Sequence, residues 1–322
     1  MSYVLFIVGL IGLWAGADAV TKGSLGIARS MGLSETFIGM TILAFGTDLP
    51  EVIVSVTGAI EQRAGLETAG LVIGNVVGST MGQIGLVLGV AGLMKVLEIN
   101  KQEIITNGSI MIASALAFLL FAQDGFLSPI DGIFLLVGFV LYLLILGSNE
   151  RKMSKLAAKH RKPKKLFRKK NQKPIWFFLL ELGIGLVVIA TTSHLVITEG
   201  LKIAEMLNIS QVLVGIIMIG VGTSLPELVV SINALAKGSS GLSVGNLIGS
   251  NIIDILLALG LSATFGGWKV PHSIIIFDLP FLMVTSIIII LFLLTRKKLE
   301  RKESFLILTL YYGYIMLKLQ GF

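Results

Sequence analysis

The chain contains no cysteine, which excludes disulfides and thiolate metal sites. Only three histidines occur, His160, His194 and His272. They are scattered singly and read as structural or solvated, so an imidazole site for zinc or copper is poorly supported. Charged residues are scarce, at 14% of 322, where a soluble domain carries about 25%. No His–Glu zinc pattern, Ser–His pairing or ATP-binding motif is present, so neither an enzyme nor a nucleotide-driven pump is indicated. No cofactor is expected.

What fills the chain instead is apolar sequence, 54% of all residues. It lies in ten runs, roughly 2–20, 35–60, 69–94, 103–122, 128–148, 175–197, 211–236, 241–264, 272–295 and 304–320. About 20 such residues cross a bilayer as a helix. The runs do not alternate as barrel strands would, so an all-α integral membrane protein with ten transmembrane helices is expected. The first run has no basic leader or small-residue cleavage site and carries Asp18 near its end. It reads as a retained helix rather than a signal peptide.

The net charge of +7 points to topology, not to nucleic acid. Twelve Lys/Arg residues and no acid lie between Arg151 and Lys173, a solvated segment that can also touch anionic lipid. The positive-inside rule puts that segment in the cytoplasm. On the same side then fall Lys22, Arg29, Lys95, Lys101, Lys237, Arg296, Lys297, Lys298, Arg301 and Lys302; the other side holds only Arg63, Lys202, Lys269 and Lys318. The asymmetry predicts a multi-pass protein of the plasma membrane with both termini outside.

The sequence also repeats. Residues 38–57 (IGMTILAFGTDLPEVIVSVT) match 214–233 (VGIIMIGVGTSLPELVVSIN) at an offset of 176, and 74–85 (GNVVGSTMGQIG) match 245–256 (GNLIGSNIIDIL) at an offset of 171. Each half holds five expected spans. Five is odd, so the second copy enters the membrane from the opposite side, the inverted-repeat plan of secondary transporters. The expected organisation is a first repeat at 1–148, a basic cytoplasmic loop at 149–174 and a second repeat at 175–322.

Polar motifs interrupt these apolar runs. In Gly46-Thr47-Asp48-Leu49-Pro50-Glu51 and Gly222-Thr223-Ser224-Leu225-Pro226-Glu227, glycine loosens the helix and proline removes a backbone donor. Two half-helices meeting near Gly46 and near Gly222 are therefore expected, with freed carbonyls that a membrane tolerates only around a site. Thr47 and Glu51 share a helical face, as do Asp48 with Glu51, Thr223 with Glu227, Ser79 with Gln83 and Ser250 with Asp254. Together they offer an oxygen cage with negative charge, which suits a hard cation such as calcium or sodium. Four carboxylates, Asp48, Glu51, Glu227 and Asp254, would cost on the order of 10 kcal/mol at the bilayer centre unless a cation neutralised them.

The paired GT(D/S)LPE and GN–GS motifs resemble the alpha repeats of the cation/calcium exchanger superfamily, especially sodium/calcium exchangers of the short prokaryotic type. The resemblance spans nearly the whole chain and implies a calcium and sodium site centred on Glu51 and Glu227. It implies further oxygens from Thr47, Ser79, Thr223, Ser224 and Ser250 and backbone carbonyls from Ala44 and Gly220. Asp254 matches an Asp or Asn position, and Asn75 and Asn246 match asparagines that brace the helices. Asp48 departs from the usual Ser, and Gln83 from the usual Asn or Asp. Four carboxylates this close cannot all stay charged without a cation or proton among them. The counter-ion is therefore sodium or, alternatively, a proton, with potassium or another divalent more distant. A cation channel is the rival of another class. Glu181 reads as snorkelling towards the basic segment, and Asp278 as a cap before Pro280.

Overall fold

The computed structural model describes residues 2–65, 68–98, 101–160, 173–206, 224–296 and 298–320. The chain is helical nearly throughout: α1 Ser2–Met31, α2 Glu35–Thr47, α3 Leu49–Arg63, and α4, which runs from Ala69–Met81 through Gly82–Val87 into Leu88–Met94. Then follow α5 Lys101–Phe121, α6 Pro129–His160, α7 Ile175–Met206, α8 Leu225–Ala236, α9 Ser240–Ala263, α10 from Ile274–Asp278 into Leu279–Arg296, and α11 Arg301–Leu319. Among the described residues seven helices are long and apolar enough to cross a membrane, and the bent pair α2–α3 makes an eighth. Of the ten expected runs, the seventh is described only in its second part, α8, because 207–223 lie outside the described residues; the tenth is α11.

The side chains sort as a bilayer requires. Ile7, Ile11, Phe134, Val137, Leu141, Leu144, Ile184 and Val187 are exposed on the outer helices, an apolar surface of the kind that faces lipid. Seventy-eight per cent of the apolar stretch of α4 and 89% of α9 is buried, against 33% for α1 and 17% for α7. So α4 and α9 form the centre, and α1 and α7 lie outside it.

The break between α2 and α3 bends the chain by 47°. It falls at Asp48 (φ −84, ψ 0) and not at Gly46, which stays inside the last turn Ala44–Thr47. Pro50 explains the shift: it sits in the first turn of α3, where no donor is needed, and withholds the N–H that would reach the Gly46 carbonyl four residues back. In the second half Ser224 (φ −92, ψ 7) stands before Pro226 in the first turn of α8, as Asp48 stands before Pro50 in α3. Ser34 starts α2 by accepting the Phe37 N–H at 3.1 Å, and Glu150 of α6 in turn accepts the Ser34 N–H and hydroxyl at 2.7 Å each.

Two short antiparallel ribbons tie the halves together. One pairs Leu97 with Leu299 and Glu98 with Lys298; the other pairs Leu127 with Trp268 and Phe126 with Lys269. Leu97 and Glu98 correspond in the repeat to Trp268 and Lys269, and Phe126 and Leu127 to Lys298 and Leu299. Each ribbon is thus the image of the other under exchange of the halves. Leu97, Leu299, Leu127 and Trp268 are all buried.

Candidate functional site

Asp48, Glu51 and Glu227 converge where α3 and α8 begin, each offering an oxygen within 4.8 Å of the others. All three are buried, as is Asp254. Asp48 sits at the break itself and Glu51 in the first turn of α3; Glu227 takes the same place in α8. The first turn of a helix favours negative charge, because its N–H groups point outward unpaired. Proline two residues into each helix thus brings a carboxylate and a positive helix end together.

The central helices close the site. Ser79 and Gln83 come from α4, and Ser250, Asn251 and Asp254 from α9. Gln83 Nε2 donates to Ser79 Oγ at 3.0 Å and to Asp254 Oδ2 at 3.2 Å, while its Oε1 accepts from Asn251 Nδ2 at 2.9 Å. Both helices widen here into π turns, Gly82–Val87 and Asp254–Leu259, a distortion common at functional sites. The Thr47 hydroxyl lies 3.4 Å from Asn246 Oδ1 and 3.3 Å from the Ala44 carbonyl, which also accepts the Asp48 N–H at 2.9 Å. Tyr142 donates to the Met40 carbonyl at 3.2 Å behind the break.

The hydrogen-bond inventory is lopsided. Both oxygens of Asp48, Glu51 and Glu227, together with Asp254 Oδ1, Ser224 Oγ and Ser250 Oγ, are buried and take no hydrogen bond from any described group. Buried carboxylates without partners are costly. The donor set is oxygen throughout, which matches hard cations and not soft ones.

Ten of the twelve residues expected at the site are described, and they gather around this cluster. Thr223 and Gly220 lie outside the described residues. Asn246 braces Thr47, whereas the Asn75 amide nitrogen has no described partner. Three residues were not anticipated. Asn251 holds Gln83, and its signal was its place beside Ser250 in the repeated motif. Ser55 and Ser231 are buried hydroxyls one turn beyond Glu51 and Glu227, with no described hydrogen-bond partner. Their equal spacing in both repeats was legible. Asp278 does more than cap a turn: it ends a π turn, accepts from Tyr314 at 2.7 Å and pairs with Lys318 at 2.8 Å.

A helical membrane bundle with a broken helix and buried acidic oxygens at its centre has the build of a secondary cation transporter. The model of the sodium/calcium exchanger protein family matches residues 1–147 and 177–320, and the chain belongs to that family. It is 30% identical to the sodium/calcium exchanger MaX1 of Methanosarcina acetivorans, over 98% of each chain. It is 32% identical to the putative antiporter CaxA of Alkalimonas amylolytica, over 98% of this chain and 97% of that one. A solved structure of the sodium-calcium exchanger NCX_Mj, soaked with sodium and calcium, superposes with a TM-score of 0.80 at 32% identity, covering 98% of this chain and 97% of the other.

Proposed function

We propose that the protein is an antiporter that exchanges calcium for sodium by alternating access at the Asp48–Glu51–Glu227–Asp254 cluster. The observation that carries this reading is the buried trio of carboxylates within 4.8 Å of one another, their oxygens unmatched by described donors. Calcium takes six to eight oxygens. Glu51, Glu227, Asp48 and Asp254 supply the charge; Thr47, Thr223, Ser79, Ser224, Ser250, Gln83 and the carbonyls of Ala44 and Gly220 supply neutral oxygens. Sodium uses overlapping oxygens, so loading one ion expels the other. An empty, negatively charged site is costly to move across the bilayer and a loaded one is not, which couples the two fluxes.

The units are a repeat at 1–148, a basic segment at 149–174, whose first part continues α6 as helix to His160 rather than forming a loop, and a second repeat at 175–322, with the basic segment cytoplasmic and both termini outside the plasma membrane. The mirrored ribbons at Leu97–Leu299 and Leu127–Trp268 support two inverted halves.

A proton-coupled exchange is the second reading, and Asp48 favours it. Its counterpart in the second half is Ser224, so Asp48 adds to the cluster a carboxylate that the second GT(D/S)LPE motif does not have. The experiment is uptake of radiolabelled calcium into proteoliposomes under an outward sodium gradient and, separately, an outward proton gradient. Uptake driven by sodium and lost in Glu51→Ala and Glu227→Ala supports the first reading. Uptake driven by protons alone selects the second. Calcium flux that needs no counter-ion would make the protein a channel.

A further inference from the structure

Helices α1 and α7 run antiparallel in backbone contact. A Cβ on Gly16 would meet the Gly185 carbonyl at 3.1 Å, and one on Gly23 would meet the Phe178 carbonyl at 2.7 Å. Two helices that approach this closely at their glycines behave as one body. Leu13, Val20 and Ile27 of α1 and Leu182 and Ile189 of α7 form a hydrophobic cluster with Ile38 and Leu43 of α2 and Val230 and Ala234 of α8. That cluster is separate from the one holding the rest of the molecule. The α1–α7 pair therefore rides over α2 and α8 on its own apolar surface.

A polar tie fastens this body at one end. Lys237, which ends α8, donates to the Asp18 carboxylate and, at 2.5 Å, to Asn233 Oδ1; Lys22 pairs with the same carboxylate at 2.5 Å. The tie lies toward the basic segment, because the neighbouring Gly23 packs on Phe178, near the start of α7.

The 176-residue offset continues without a gap into these helices: Leu25, Ile27 and Ala28 fall on Leu201, Ile203 and Ala204. By the same offset Asp18 falls on His194, and Lys237 falls on Glu61. Donor and acceptor are exchanged, but the pair stays complementary, because a His194 ring N–H can serve the Glu61 carboxylate as Lys237 serves Asp18. Glu61 and His194 are both exposed, and among the described residues no ion pair joins them. In an inverted repeat the two access states are related by exchanging the halves, so a contact made in one state is replaced by its counterpart in the other.

We propose that Asp18–Lys237 and Glu61–His194 are two alternately closed latches, and that these four residues position the α1–α7 body for transport. This rests on the alternating-access reading above. In the state described, the Asp18–Lys237 latch is closed. In the opposite state Lys237 releases Asp18, and His194 meets Glu61 on the other face of the membrane. The counterparts of Lys22 and Asn233 are Thr198 and Thr57, so the second latch has fewer polar partners. The populations therefore lean toward the state described.

The absence of native cysteine allows a direct test in the full chain. Glu61→Cys with His194→Cys is reconstituted into proteoliposomes and treated with a short, cleavable thiol-to-thiol cross-linker. Cross-linking is expected to proceed, to stop calcium exchange, and to be reversed by cleavage. Adding Asp18→Asn should speed cross-linking about two- to fivefold, the range for losing a partly exposed ion pair. The charge exchange Asp18→Lys with Lys237→Asp should return it to the starting rate, which a merely structural role for Asp18 would not produce. A preparation that exchanges calcium yet does not cross-link, or cross-links at a rate indifferent to Asp18→Asn, overturns the latch alone. A protein that exchanges no calcium before cross-linking overturns the transport reading and the latch with it.

Discussion

Gln83 Nε2 lies 3.2 Å from Asp254 Oδ2, and the two residues, 171 positions apart, are counterparts in the repeat. A residue that touches its own counterpart lies on the axis relating the halves. The Gln83 amide is fully used there, with both protons donated and its oxygen accepting from Asn251. Gln83→Leu keeps the bulk and removes these bonds, leaving Asp254 and Ser79 without their donor. A hydrogen bond to a charged group is worth about 1.5–3 kcal/mol. Apparent calcium affinity, read from the concentration dependence of uptake, should fall about ten- to a hundredfold. Unchanged affinity would reduce the Gln83 network to packing.

Glu51 and Glu227 should trade stability for binding. Each is a buried carboxylate without a described donor, so Glu51→Gln and Glu227→Gln remove a charge that only a cation or proton neutralises. Thermal unfolding in detergent with a calcium chelator should show both variants melting above the wild type. Calcium at a hundred times its dissociation constant should then stabilise the wild type by about 2.7 kcal/mol and leave the variants unmoved. Variants less stable than the wild type in chelator would mean that the carboxylates serve the fold instead.

How far the sequence speaks is visible at these same residues. The break between α2 and α3 was legible because glycine and proline act locally, and the nearness of Glu51 to Glu227 because the motif repeats. The bend at Asp48 rather than Gly46 was not: it depends on which N–H proline withholds, four residues from the carbonyl it frees. The π turns at Gly82–Val87 and Asp254–Leu259 were also hidden. One extra residue per turn is selected by packing against neighbouring helices, not by local propensity. Asp278 read only as a cap before Pro280 because its partners, Tyr314 and Lys318, lie 36 and 40 residues away.

Asp48 separates the two coupling readings. A carboxylate must shed its proton before it can face a cation, so protons and calcium compete there, and uptake should rise with pH. Asp48→Ser restores the residue type that Ser224 supplies in the other half. Uptake measured across a pH series in a fixed sodium gradient should then rise less steeply than in the wild type. A profile identical to the wild type would remove Asp48 from the competition.

The Asp278 triad is argued to be structural, with a matching signature. Asp278 is buried and held by the Tyr314 hydroxyl and the Lys318 ammonium at 2.7 and 2.8 Å. Removing one partner of a buried ion pair leaves a charge uncompensated. Lys318 is partly exposed, so Lys318→Met should cost about 2 kcal/mol, less than a fully buried pair would. Combining it with Asp278→Asn should recover most of the loss. Calcium exchange by the double variant should match the wild type; a lost flux would put Asp278 on the ion path.

Gly249 sets the spacing between the two helices that carry the site. A Cβ there would meet the Met40 Cα at 2.8 Å, the Ala44 Cβ at 2.9 Å and the Met40 carbonyl at 2.9 Å. None of these is the end of a flexible chain, so Gly249→Ala must push α9 away from α2. Ser250 and Asp254 move with α9, while Thr47 and Asp48 stay with α2. A hard cation needs its oxygens at about 2.3–2.6 Å, so a shift of a few tenths of an ångström loosens the cage even where the fold survives. Overpacking of this kind costs about 1–3 kcal/mol. Calcium-dependent stabilisation should nearly vanish in Gly249→Ala while the chelated protein still melts cooperatively. Gly313→Ala on α11, where a Cβ meets nothing within 4 Å, serves as the control and should bind calcium as the wild type does. Equal calcium responses from the two variants would mean that the α2–α9 spacing does not govern the site.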